Sequence, residues 1–600
     1  MPSEQEALEL QRTAANLMSQ CLSYTTSREY FSAPDRLQRL YRVTPGRTAL
    51  MPPYFVRIES MGDPLESGQN SALALQTALA ACAGDQAHDL VFLVLNDGYV
   101  NRLYLGVRHQ SGFADEFMES FRHFFRQAHP GSQLALIDPR QDEYDRQIVQ
   151  PLRRMQHAAC LTGIPSAKVN RDGSLVSCLD SLLTGGQGRP FAYLVVARPM
   201  VAADVSEVVT RCRDLVGQIH HMASMSFTQG VTETYTRAEG SMKSTQITQS
   251  RTDTKGANML GMGTILGGAM GVLSVVFPPA TLASAIGRAL GIGALHFLPQ
   301  SRSRSTATSE SVSETTARSV TDTYGIAQTK QLTLEIVNAH VRAAERHLDR
   351  YAERFYSERA TGLWNTEVYC LSKTADVPAV ASAQIQAVLN GADSSLEPVR
   401  WHQLSGFITS DAFWNALRAC ESPPVAFGAA DTTFRHPLGR SYEGLGTPLT
   451  THELTFLLNC PRREIPGLRL VPTASFSLNS PAVGADAGIE LGTLIDTGVE
   501  LTHPFTLPCD ALAKHTLLAG INGSGKSTTC RTLIRQVAER GIPFLAIEPA
   551  KDEYVEWAMS FNQGLPPDDP RRIAIYIPGM DVWRGHKLEE QLALNPIPLK

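Results

Sequence analysis

Six hundred residues with 43% hydrophobic and 19% charged side chains describe a globular chain of about three to five domains, and they exclude a disordered or fibrous polypeptide. A formal net charge of −5 argues against a general nucleic-acid coat, although a basic patch lining a pore is compatible with it. Ten cysteines run from Cys21 to Cys530 without one C-x-x-C pair, so neither a zinc site nor a disulfide framework is indicated. The N-terminus, MPSEQEALELQRTAANLMSQ, is polar and acidic where a signal peptide is basic and then apolar. Together these point to a reducing, cytoplasmic setting.

Residues 1–224 carry the pattern of an α/β domain. The apolar run 90–95, the turn Asn96-Asp97-Gly98 and the run 100–107 predict a hairpin whose turn needs positive φ. Helical periodicity follows over 115–127, then a strand over 133–137, a helix over 174–183, a buried strand over 191–197 and a longer helix over 204–222. His123, His129, His220 and His221 lack a carboxylate or cysteine at ligand spacing, so they are expected to be ordinary surface or core histidines.

The pattern changes at Ser224. Even positions up to Gly256 carry small or hydroxyl residues, interrupted only by Met242 and Gln246, while odd positions hold larger or charged ones such as Phe227, Tyr235 and Arg251. A second run of opposite parity extends from Ser301 to Thr323. A period of two signifies strand, and a linker does not hold parity for so long. At about 3.3 Å per residue the second run alone reaches roughly 80 Å, and copies of such a hairpin can close into a barrel-like stalk. Between the runs, residues 258–277 carry no charge, and 280–298 hold only Arg288 and His296 as ionisable groups. The first stretch is long enough to span a bilayer, with Gly263, Gly267 and Gly271 forming a close-packing ridge. Lys255 on one side and Arg302 and Arg304 on the other keep both ends of an apolar hairpin on the inner face of the membrane. A helical pair buried in an oligomer core is the alternative.

After Tyr324 the α/β pattern resumes with a helix over 332–357, a strand over 366–371 and a helix over 378–389. The segment 225–325 is therefore an insertion into one domain that continues over 326–423. From 424 to 504 proline and glycine become frequent, and short alternating segments at 474–478 and 489–494 suggest a small β-rich module.

Residues 505–600 hold the stretch that states its chemistry. Gly520-Ile521-Asn522-Gly523-Ser524-Gly525-Lys526-Ser527 matches G-x-x-x-x-G-K-[ST], after an apolar run at 515–519 and before a helical pattern over 527–540. Glycines allow backbone N–H groups to wrap a phosphate, and the helix that starts there turns its positive dipole end toward it. Lys526 is the candidate catalytic cation, Ser527 the candidate ligand of Mg²⁺, and Thr528 extends the ATP-binding set. A second apolar run at 543–547 leads to Glu548, a candidate catalytic carboxylate, so that a βαβ unit feeding a parallel sheet is expected.

HTLLAGINGSGKSTT at 515–529, IPFLAIEPAKDEY at 542–554 and GIELGTLIDTG at 488–498 resemble the HerA and FtsK class of RecA-like ATPases. The resemblance extends to HerA-type DNA translocases and to the conjugation ATPases of type IV secretion, which LTGIPSAK at 161–168 and LTTHELTFLLNCPRREIPGLRL at 449–470 are also similar to. It implies a homo-oligomeric ring, a hexamer, that uses ATP and Mg²⁺ to thread DNA through a central channel. The second metal-site carboxylate, arginine finger and pore loops of that family are expected beyond Lys600. Two functions follow as expectations. One is a ring motor that moves DNA, with membrane docking through 258–298. The other is a membrane pore or secretion component gated by nucleotide binding. A partner nuclease or secretion proteins are left unspecified.

Overall fold

The computed structural model describes the chain apart from residues 1–3, 33–39, 45–49, 65–74, 110–114, 169–175, 237–246, 251–324, 428–434, 474–487, 549–552, 578–581, 588–600 and several further stretches of one to three residues. The chain is mixed α/β and divides into two compact units, Met1–Thr473 and Ala474–Lys600. Residues 424–473 of the expected β-rich module therefore belong to the first unit, and the remainder to the second.

The strands of the first unit, in chain order, are β1 (Tyr41–Val43), β2 (Tyr54–Pro64), β3 (His88–Asn96), β4 (Asn101–His109), β5 (Gln133–Ile137), β6 (His157–Thr162), β7 (Phe191–Pro199), β8 (Ser224–Thr236), β9 (Ile247–Ser250), β10 (Gly325–Val337), β11 (Leu363–Ser372), β12 (Arg400–Gln403), β13 (Val425–Phe427), β14 (Thr447–Thr450) and β15 (Arg469–Thr473). Ten of them form one sheet of order β12-β6-β11-β7-β3-β4-β2-β15, with β14 paired to β11 and β5 to β2. Among its described pairings, β15 with β2 is parallel and the others are antiparallel. The hairpin expected around Asn96-Asp97-Gly98 is β3–β4, and Gly98 holds φ +100°, which an L side chain adopts only under strain.

Both faces of this sheet are covered, which is why β3 and β7 read as nearly continuous apolar runs. Leu90, Phe92 and Val94 point into one core with Tyr193, Val195, Phe121, Leu215 and Leu348. Val91, Leu93 and Leu95 point into the other with Leu194, Tyr369, Phe413 and Leu417. The first core lies under helices α1 (Glu4–Thr26), α2 (Asp115–Ala128), α3 (Cys178–Gly185), α4 (Ala202–His220), α5 (Ala339–Ser357) and α6 (Val377–Leu389). The opposite side receives α7 (Asp411–Arg418), whereas α8 (Thr451–Leu458) returns to the first.

A buried ion pair ties distant segments together. The Arg28 guanidinium donates to Glu397 Oε1 at 3.3 Å, the Gly446 carbonyl at 2.9 Å and the Gly444 carbonyl at 3.1 Å, and lies 4.3 Å from the centre of the Phe31 ring. Glu397 accepts a second bond from the Tyr351 hydroxyl at 2.8 Å. Burial works against the Arg28 charge, but Glu397, Tyr30 and Tyr41 more than offset it and hold the guanidinium firmly protonated.

The strand expected from Ser224 is present as far as Thr236, but the run expected to continue it to Gly256 does not stay in one strand, because Ile247–Ser250 lies back against residues 230–233. β8 pairs antiparallel with β10 over the whole of both, from Ser224 opposite Val337 to Thr236 opposite Gly325, and β9 adds on the other edge of β8. The described partner of β8, 325–337, follows the run 301–323 expected to pair with it, and residues 332–337, expected as helix, are strand, the helix starting only at Ala339. Leu332, Leu334 and Ile336 alternate, whereas Leu334, Val341 and Leu348 also fit a helical period, and the sequence alone does not separate the two. Asn338 settles the boundary by accepting from the His340 and Val341 N–H groups at 3.1 and 3.3 Å, a side-chain N-cap. The chain leaves after α4 and returns before α5, two helices that pack together, and the described residues between them form the three-stranded sheet β10-β8-β9. The second Ser/Thr run and the apolar stretch 258–298 lie outside the described residues. No helix among the described residues is long and apolar enough to cross a membrane.

The second unit contains β16 (Gly488–Asp496) and β17 (Val499–Pro508), an antiparallel hairpin, followed by the glycine loop, α9 (Lys526–Glu539) and α10 (Glu553–Gln563). The runs 515–519 and 543–547, expected as strands of a parallel sheet, form neither strand nor helix and have no ladder partners among the described residues, and Leu517, Leu545 and Ile547 are more than 80% exposed. A parallel strand needs a neighbour to satisfy its backbone and cover its side chains.

Candidate nucleotide-binding site

The loop from Gly520 to Ser527 has the backbone that its glycines permit. Gly523 stands at φ +81° and Gly525 at φ +86°, both in the left-handed region, and Gly525 is the N-cap residue of α9. At Gly520 the constraint is a different one, since a Cβ there would lie 2.4 Å from the Ser524 hydroxyl oxygen and would turn that side chain away. The Ser524 N–H closes a turn onto the Ile521 carbonyl at 3.2 Å, and the Thr529 N–H bonds the Gly525 carbonyl at 2.9 Å as the first helical turn forms. The first N–H groups of a helix have no intrahelical acceptor, so those of α9 are donors directed out of its start.

Lys526, the first residue of α9, folds its ammonium back over the loop and donates to the Gly520 carbonyl at 2.6 Å and the Ile521 carbonyl at 2.8 Å. Cation, glycine backbone and helix N-terminus thus converge on one exposed loop, with Asn522, Gly523, Ser524 and Gly525 open to solvent and Ser527 half-buried. Thr528 lies one position further along α9 and is exposed. The residues fit a polyphosphate: the loop is accessible, its two left-handed glycines leave no Cβ in the way, and a lysine and a serine hydroxyl flank the helix start.

Glu548 is placed otherwise. Its Oε2 accepts the Tyr554 N–H at 3.1 Å and so fastens the start of α10. Burial and a hydrogen bond with the Cys530 thiol push the Tyr554 hydroxyl up to about 12, with Glu548 adding to the same effect. Cys530 is one turn along α9 from Lys526, so Glu548 and Tyr554 belong to the neighbourhood of the loop, while the carboxylate itself serves a helix cap.

Sequence reasoning missed how α9 is seated. Gln536 and Arg540 bond the backbone of β16, and no motif marks them; the available signal was two polar residues beside the apolar Val537 and Ala538, which are buried. Elsewhere, His220 is exposed and bonds Glu345 at 2.9 Å, His129 is buried, and His221 lies outside the described residues. No group of histidine, cysteine, aspartate or glutamate among the described residues could hold a metal ion. Two cavities in the first unit, of about 10 and 50 Å³, are far smaller than the several hundred Å³ of a ligand pocket. No protein-family model matches the chain, and no curated protein does either.

Proposed function

We propose that the chain binds ATP with Mg²⁺ at residues 520–527 and serves as the nucleotide-binding part of a ring-forming motor of the HerA and conjugation-ATPase type, which moves DNA through a central channel. The observation that carries the nucleotide part is the convergence of Lys526, two left-handed glycines and the start of α9 on one exposed loop. The motor, its hexameric state and DNA as its cargo rest on the sequence resemblance.

Residue roles follow from chemistry. The N–H groups at the start of α9 and of the glycine loop donate to phosphate oxygens, and Lys526 exchanges its two carbonyl acceptors for phosphate. Ser527 and Thr528 supply hydroxyls, with Ser527 the ligand of Mg²⁺, which when bound neutralises charge on the phosphates. Glu548 is assigned to holding α10, and general-base work is not proposed for it. Membrane docking by 258–298 belongs to the same reading as an attachment for the ring.

The test is ATP turnover by the full-length protein with and without duplex DNA, alongside a particle count of subunits per ring with and without ATP. DNA-stimulated turnover by closed rings is expected. Turnover indifferent to DNA, together with permeabilised liposomes, would replace the motor with a nucleotide-gated membrane pore.

A further inference from the structure

Among the described residues, the outer edge of β16 is met by the side chains of Gln536 in α9 and of Arg540 at its C-cap. The Gln536 carboxamide accepts the Glu490 N–H at 2.9 Å and donates through Nε2 to the Glu490 carbonyl at 2.6 Å, the two-point pairing a neighbouring strand makes. One turn further on, Arg540 donates to the Gly488 carbonyl at 2.6 Å and also to the carbonyl of Gln536 at 3.1 Å. The spacings agree: four helical residues rise about 6 Å, and two strand residues span about 6.7 Å with their polar groups on one edge. Helix and strand are therefore engaged in one register, with α9 running antiparallel to β16.

The place of engagement adjoins one of the two irregularities in the hairpin's pairing. The β16–β17 register shifts between Glu490 and Gly492, and Gly492 stands at φ +144°. A bulge bends a strand and leaves its local ladder incomplete, so the Gln536 pairing supplies the hydrogen bonds that hold Glu490 in place. Gln536 is also ten residues from Lys526 along one uninterrupted helix, about 15 Å of rigid rod.

We infer that Gln536 and Arg540 are positioning residues that join the phosphate-loop helix to the 488–508 hairpin, so that nucleotide on the loop is registered at the bulge in β16. This rests on residues 520–527 being a nucleotide loop. Exposed hydrogen bonds of this kind open readily, and ordering α9 from its start reduces how often they do.

The experiment is hydrogen exchange on the full chain, read at the Glu490 amide and at the amides of 523–529, with and without Mg·ATP. Mg·ATP is expected to slow the loop amides and to slow Glu490 by about fivefold or more, as a coupling of ordinary size requires. Gln536→Ala should keep the loop protection and lose the slowing at Glu490, with ATP affinity weakened by about three- to tenfold. Arg540→Ala, which leaves the buried Val537 and Ala538 untouched, should act in the same direction. Loop amides protected by Mg·ATP with Glu490 unchanged, or Glu490 still slowed in Gln536→Ala, would overturn the coupling while leaving the nucleotide site standing. Protection at neither place would overturn both.

Discussion

Arg28 and the loop glycines are the residues on which single-atom arguments turn. Arg28 is a non-glycine residue at φ 51°, fully buried, with its charge met by Glu397 and by backbone carbonyls from residues more than 400 positions away. Arg28→Met leaves Glu397 buried with the Tyr351 hydroxyl as its remaining bond among these groups. A loss of about 3–5 kcal/mol is expected in the urea transition of the first unit. Glu397→Gln in the Arg28→Met background should restore part of that loss, because the buried carboxylate is gone. In the second unit, Gly523→Ala and Gly525→Ala place a Cβ at φ near +80°, costing about 1–2 kcal/mol of backbone strain. ATP affinity should fall about tenfold with either, measured by titration, while the melting of the first unit stays unchanged. These two cases separate what a sequence discloses. The loop was legible because glycine, lysine and serine at fixed spacing encode a local backbone. Arg28 was not, since nothing near it in the sequence names partners supplied by Glu397, Gly444 and Gly446.

At the scale of elements, alternation and periodicity served where burial is regular. The β3–β4 hairpin, the strands Gln133–Ile137 and Phe191–Pro199 and the helix Asp115–Ala128 all stand where the apolar pattern put them, within two residues. The boundary at Asn338 did not, because a strand with leucine at 332 and 334 runs into a helix whose first buried residues keep a compatible spacing. Asn338→Ala removes the acceptor for two N–H groups and should cost about 1 kcal/mol, seen as a lowered denaturation midpoint and faster exchange at the His340 and Val341 amides. The runs 515–519 and 543–547 show the opposite limit. Their composition specifies strand, but a strand is completed by neighbours, and the pairing cannot be read from the run itself. The Gln536 and Arg540 contacts with β16 were likewise invisible, because a side chain that imitates a strand has no sequence signature.

At the scale of the whole molecule, buried histidines set the response to acid. Burial, aided by Arg350, lowers His347 to about 4; burial, aided by Arg28, lowers His402 and His436 to about 3. Each therefore binds its proton less readily folded than unfolded, where the ordinary value is near 6.5. The stability they contribute is complete above that value and is lost as pH falls through it toward 4 and 3, by up to about 1.4 kcal/mol per pH unit for each histidine. Glu367 and Glu421, raised by burial, act in the opposite sense, since they take up a proton more readily when folded. With three histidines against two carboxyls, the denaturant midpoint of the first unit is expected to drop between pH 7 and 4.5, and His402→Gln should flatten that drop. The second unit carries the functional claim, and it stands on one loop. Titrating Mg·ATP into the full chain and into its Lys526→Ala variant tests it most directly: saturable, Mg²⁺-dependent binding that disappears in the variant is predicted, and binding that survives the loss of Lys526, or none in either protein, would contradict it.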